Sequence, residues 1–242
     1  MNQRPAQEVP DLRERGRDAA GQPIFSNRRL FIQLLAFGEC PDPAPLIEAL
    51  PQLDAPCTLY ADLNDPRGIG LVTASEHPEF FIDTLRPFLR GSAFNDLWLK
   101  PEYTMLGRSY SIGYEADLDN ILVDRPLQRI TNPEWPWAVW YPLRRAGAFE
   151  KLPPEEQKAI LGEHGTLGMN FAAGGYGRDI RLDCRGLDKN DNDFVIGLIG
   201  AELFPLSAMV QAMRKTRQTS EFLVNLGPFF IGKALYQKSA AG

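Results

Sequence analysis

Only two residues of this 242-residue chain can act as an imidazole base or ligand, His77 and His164. His164 closes a stretch that reads as a short helix. Pro153 and Pro154 open it, Glu155 and Glu156 favour its positive end, Ile160 and Leu161 supply an apolar stripe, and Gly165 is a suitable stop. In the last turn of such a helix the imidazole either caps free carbonyls or serves as a ligand. His77, directly before Pro78, reads as a solvated turn residue. Cys40, Cys57 and Cys184 are odd in number and far apart, which leaves neither a disulfide framework nor a C-x-x-C pair, and they read as small buried apolar residues. Two histidines and scattered cysteines do not make a closed structural zinc site. No G-x-S-x-G elbow, H-E-x-x-H helix or G-x-G-x-x-G turn is present. The one near-match to a phosphate loop, residues 227–233, has the interior Pro-Phe-Phe-Ile, which favours burial over a backbone cradle. A single histidine is well suited to one task, giving iron an axial bond when a porphyrin supplies the in-plane ligands. Such a site also needs apolar walls, for which Trp135, Trp137, Trp140, Tyr141, Phe149 and Phe171 are candidates. It needs cations for the propionates, and Arg108, Arg144, Arg145, Arg178, Arg181 and Arg214 are available.

The elements that must position these groups show an internal echo. Ile69, Gly70, Leu71, Val72, Ala74 and Pro78 recur as Ile196, Gly197, Leu198, Ile199, Ala201 and Pro205, at a constant offset of 127 residues. Each copy reads as a buried strand followed by a helix with proline near its start. Further strands flank both copies: LFIQLLAF and WAVWYPLRR before, EYTMLGRSYSIGYE and GPFFIGKALYQ after. The pattern predicts an α+β fold of two tandem ferredoxin-like β-α-β repeats forming a dimeric α+β barrel. Its parts are a mobile N-terminal tail at 1–27, a first half at 28–130 and a second half at 131–242.

Composition agrees with a globular chain: 44% hydrophobic, 24% charged and 10% aromatic residues are enough for a substantial core. A net charge of -5 without any Lys/Arg block speaks against a nucleic-acid groove or an anionic membrane surface as partner. No run approaches the roughly 18–20 apolar residues of a membrane helix, and the N-terminus lacks a secretory apolar region, which predicts a cytoplasmic protein.

Residues 137–165, WAVWYPLRRAGAFEKLPPEEQKAILGEHG, carry a YP-x-[KR] strand, an L-P-x-E-E helix and a closing E-H-G. In these the chain resembles the chlorite dismutase superfamily, which includes the coproheme decarboxylases. The likeness continues through GLDKNDNDFVIGLIG, MRKTRQTS and GPFFIGK, and is thinner in the first half, where RSYSIGYE at 108–115 matches best. The resemblance implies haem b or coproheme bound in the second half, a homopentamer, and His164 as the ligand of the haem iron. Tyr141 of the YP pair and the lack of tryptophans at Ala148-Phe149-Glu150 point to the decarboxylase branch. There, with coproheme and hydrogen peroxide as substrates, Tyr141 would be oxidised to a radical and take hydrogen from the β-carbon of a propionate. Loss of CO2 leaves a vinyl group, and two such events give haem b. The alternatives are chlorite dismutation and a haem-binding protein without catalysis.

The resemblance also matches Arg144 to the basic position of YP-x-[KR] and Arg214 to an arginine near a propionate, with Arg108 as a further candidate. The residue facing the iron from the other side falls on Gly177 when counted from His164 and on Asp179 when counted back from Gly186. In a regular strand Arg178 shares a face with Ile180, Leu182 and Cys184, whereas Asp179, Arg181, Asp183 and Arg185 share the other. An arginine on the apolar face needs an anionic partner, so Arg178 and then Arg181 are the expected catalytic arginines. By spacing, Gln218 takes the place of the carboxylate that hydrogen-bonds the ligating histidine in chlorite-degrading members, and a neutral partner there speaks against chlorite chemistry.

Overall fold

A computed structural model describes residues 9–239. Two short strands, β1 (Glu14–Arg17) and β2 (Pro23–Ser26), form a hairpin. The first repeat follows: β3 (Phe31–Gly38), α1 (Ala44–Ala49), β4 (Cys57–Asp62), β5 (Ile69–Ser75), α2 (Arg86–Arg90), the two-residue β6 (Trp98–Leu99) and β7 (Met105–Arg108). Helix α3 (Arg125–Ile130) leads into the second repeat. It comprises β8 (Trp137–Arg145), α4 (Gly147–Glu150), α5 (Pro154–Ala173), β9 (Arg178–Asp183), β10 (Phe194–Gly200), α6 (Leu203–Met213), α7 (Arg217–Phe222), β11 (Leu223–Leu226) and β12 (Phe230–Lys238).

The spatial order of strands is β7-β3-β5-β4 in the first repeat and β12-β8-β10-β9 in the second. Each places its fourth, first, third and second strand side by side, so the two ferredoxin-like repeats expected from the echo are present. Their edges pair with each other. Strand β12 runs antiparallel to β4 from Gly232↔Asp62 to Lys238↔Cys57, and β7 meets β9 through the single pair Arg108↔Asp183. The eight strands therefore form a closed ring whose interior is filled by residues such as Leu34, Tyr60, Trp140, Leu182 and Phe230. The echoed glycines explain themselves here. A Cβ on Gly70 would meet the Phe230 ring at 2.4 Å, and one on Gly197 the Trp140 ring at 2.6 Å, so each repeat gives up one side chain to seat a large aromatic inside the ring.

Two expectations are corrected. Residues 14–26 of the supposed tail are structured, and residues 1–8 lie outside the described range. Asp18 Oδ1 accepts from the amides of Ala20 and Gln22, and Gly21 takes φ +78, a local turn that reverses a chain too short to show an apolar period. Helix α5 does not stop at Gly165 but runs on to Ala173, which puts His164 near its middle. Interior glycine costs a helix about 1 kcal/mol relative to alanine without ending it, and the chain reverses only at Gly174 and at Gly175, with φ +73.

Candidate functional site

Strand pairing in the second repeat lines up side chains in rows across β8, β10 and β9. Tyr141 lies opposite Ile196, and Ile196 opposite Arg181. The neighbouring rows are Val139, Leu198 and Asp179, and Leu143, Phe194 and Asp183. Alternation along a strand puts all of these on the outer face of the ring, towards the helices.

That face is more completely buried in the first repeat than in the second. In the first repeat twelve buried residues, among them Phe37, Leu50, Ile69, Leu71 and Phe94, seal the outer face beneath its helices. In the second only six are buried, and Trp137, Phe171, Phe194, Ile196, Met213 and Phe229 are partly exposed around them. Ile69, 3% exposed, and its echo Ile196, half-buried, make the contrast within one residue type. The helix above has the same character, since Ile160 is the only fully buried residue in the twenty of α5. An apolar sheet face beneath a thinly packed helix is the form of a ligand site.

His164 stands on α5 over this face. Its Nδ1 lies 3.1 Å from Oγ1 of Thr216, the buried N-cap residue of α7. Burial lowers its pKa; Asp179 opposes that shift, while Arg181 and Arg145 add to it. Tyr141 is buried and its ring stacks on Phe229 at 4.6 Å. Burial raises its pKa well above the ordinary phenol value, Asp179 adds to the rise, and Arg214 opposes it.

The arginines sort by face. Arg181 shares the row of Tyr141, but its side chain is half exposed and pairs with Asp179 at 3.2 Å. Arg178, the first choice from the sequence, is on the opposite face. It donates to the carbonyls of Ala172 and Gly177 and lies over Trp135, so backbone oxygens and an aromatic ring satisfy it where a propionate or oxidant was expected. Arg144 is also on the wrong face and holds the carbonyls of Asn190 and Asp191 at 2.6 Å. The basic residue of β8 on the Tyr141 face is Arg145. Its guanidinium packs over Phe149 and Phe194, only Glu150 reaches it, at 3.7 Å, and its buried Nε has no partner among the described residues. Burial lowers the pKa of Arg145. Strand alternation was the signal that could have found it.

Arg108 lies at the thin β7–β9 seam, 3.2 Å from Glu14 and 3.7 Å from Asp183, so it is already ion-paired. Arg214 is exposed at the end of α6 and has no ion pair among the described residues. The spacing that gave Gln218 as partner of His164 is corrected to Thr216, two residues earlier. Tyr110, which lies in the RSYSIGYE stretch but was not among the expected site residues, packs at a tilt against Phe194 at the rim, with ring centroids 5.8 Å apart. Of the wall candidates, Trp137 and Phe171 border the face. Trp140 and Trp135 belong to the ring interior, and Phe149 packs with Ile160 and Phe222 beneath α5. His77 is an exposed turn residue and the three cysteines are buried and free. Among the described residues no helix is long and apolar enough to cross a membrane, and no three of His, Cys, Asp and Glu converge as a metal cage.

A family model described as Chlorite dismutase matches residues 82–235. Among solved structures, a heme-binding protein from Thermus thermophilus superposes with a TM-score of 0.68 at 17% identity, covering 95% of this chain and 96% of that one. A tryptophan variant of the chlorite dismutase of Candidatus Nitrospira defluvii, in complex with cyanide, superposes with a TM-score of 0.67 at 16% identity, covering 87% and 92%. At these identities the likeness is one of fold. No curated protein matches the chain.

Proposed function

Because this chain belongs to the chlorite dismutase family, we propose that it binds an iron tetrapyrrole between α5 and the less completely packed sheet face of the second repeat, and that it decarboxylates coproheme propionates to vinyl groups with hydrogen peroxide, giving haem b. The residues present fit such a group. His164 offers one ring nitrogen, the half-buried apolar side chains offer a hydrophobic bed, and Arg145, with Arg214 at the rim, offers cations for carboxylates. When bound, the iron porphyrin supplies the redox chemistry, and the protein supplies position, charge and exclusion of water. Per propionate, peroxide accepts two electrons and two hydrogens and leaves as two waters, while the propionate loses CO2 and becomes vinyl.

The observation that carries the reading is Tyr141, buried in the middle row of the second repeat's outer face with its ring stacked on Phe229. Burial keeps its hydrogen on Oη through the physiological range, so the residue can hold and exchange a hydrogen there without becoming a tyrosinate. Arg145, four residues on, shares the Tyr141 face of β8 and would be available to hold a carboxylate of the bound group. Arg181 borders the same site but is tied to Asp179, which weighs against the free arginine that a chlorite reaction would use.

Purified protein incubated with ferric coproheme and titrated with peroxide tests the proposal. Mono- and divinyl products in the mass spectrum support it, and their absence overturns it. Oxygen evolved from chlorite would move the chain to the other branch. No Soret band on reconstitution, and no change on His164→Ala, would make it a member without cofactor. The same reading carries a homopentamer and a cytoplasmic setting, which sedimentation and cell fractionation test.

A further inference from the structure

The site leaves one buried contact whose direction decides the ligand. Thr216 Oγ1 lies 3.1 Å from His164 Nδ1, 2.8 Å from the carbonyl of Met213 and 3.4 Å from Thr219 Oγ1. A hydroxyl has one hydrogen. The Met213 carbonyl can only accept, and at 2.8 Å it takes that hydrogen; if the hydrogen turned to Thr219 instead, it would still be directed away from the imidazole. Thr216 therefore accepts, and Nδ1 must donate. We infer that Thr216 is the positioning residue of His164: its hydroxyl holds the ring as the Nδ1–H tautomer and presents Nε2 as a bare lone pair to the metal.

This rests on the proposed iron-binding role only for its consequence, since the tautomer belongs to the free chain. An uncharged oxygen that is itself donating elsewhere accepts less strongly than a carboxylate would, so the imidazole stays neutral and a moderate electron donor. The brace around it is built from both sides. Arg217 donates its amide to Glu163 on α5 at 3.1 Å and its guanidinium to Glu156 at 3.2 Å, which holds the start of α7 against the turn that carries His164. The charged groups that act on the imidazole, Asp179, Arg181, Arg145 and Glu163, are not in hydrogen-bond contact with Nδ1 among the described residues.

The test is nitrogen NMR on the full-length protein without added tetrapyrrole. With two histidines in the chain, His77→Asn assigns the spectrum. Wild type should show His164 with a pyrrole-like Nδ1 and a pyridine-like Nε2. Thr216→Val, which keeps shape and removes the acceptor, should shift the population to the Nε2–H form, and Thr216→Ser should restore the original. With ferric coproheme added, Thr216→Val should bind about 10-fold or more weakly, and Thr216→Asp should lower the reduction potential of the bound iron. An unchanged tautomer in Thr216→Val overturns the inference. A tautomer that responds as stated in a protein that never takes up coproheme sustains the inference and sinks the function proposed above.

Discussion

One residue of sequence separates Arg144 from Arg145, and a pleated strand turns that into opposite faces of the sheet. Arg144 holds a loop by its carbonyls, and Arg145 sits under-partnered beside Phe194. Replacing a charge-assisted bond costs about 1.5–3 kcal/mol, on the order of 10-fold or more in affinity. Arg145→Gln should therefore weaken coproheme binding by about that factor in a Soret titration, while Arg144→Gln leaves it nearly unchanged and lowers the melting temperature. Tyr141 makes a second prediction. Its folded-state pKa is raised, so the protein holds a proton that the unfolded chain loses near pH ~10. That contribution is intact at neutral pH and is lost as pH rises. Urea unfolding above about pH 10 should weaken more steeply in wild type than in Tyr141→Phe, and Tyr141→Phe should keep coproheme yet form no vinyl product. Tyr141 and His164 were legible as residues because each stands in a recognisable local pattern. Arg145 and Thr216 were not, since one required the register of three strands and the other a contact between helices 52 positions apart.

Elements were read best where the pattern repeats. The strand cores of the echo came through because a buried strand needs a continuous apolar run, while helix ends did not, because glycine and proline bias an end without enforcing it. Gly162 shows the point: it lies inside α5 and a Cβ there would meet nothing within 4 Å. Gly162→Ala should stabilise the unloaded protein by about 1 kcal/mol, visible as a higher melting temperature. The N-terminal hairpin is not legible in the sequence because strands of four residues are too short to show an apolar period, yet it buttresses the thinnest seam of the ring. Glu14 is 12% exposed, accepts from Ser111 N at 2.9 Å and pairs with Arg108 beside the lone β7–β9 pairing. Glu14→Ala should cost about 1–3 kcal/mol by leaving Arg108 and the Ser111 amide without their acceptor, and hydrogen exchange at Met105–Arg108 should rise.

At the scale of the molecule, two repeats of one design have parted in how they treat their outer faces. The first is filled by its own helices; the second buries half as many residues on that face. Ile69 and Ile196 measure the difference. Ile69→Ala removes a fully packed side chain and should cost about 2–5 kcal/mol in urea unfolding. Ile196→Ala should cost less than ~2 kcal/mol in the unloaded protein and approach the Ile69 value once coproheme is bound, because the ligand completes the packing. The sequence by itself determined the repeat, the strand cores and the residue types able to bind iron or carry a hydrogen, since these depend on local periodicity and side-chain chemistry. Only the tertiary structure decided which arginine of β8 shares the face of Tyr141, what hydrogen-bonds the imidazole and which of two like faces is the less completely packed, because register and helix packing are set by contacts between residues far apart in the chain.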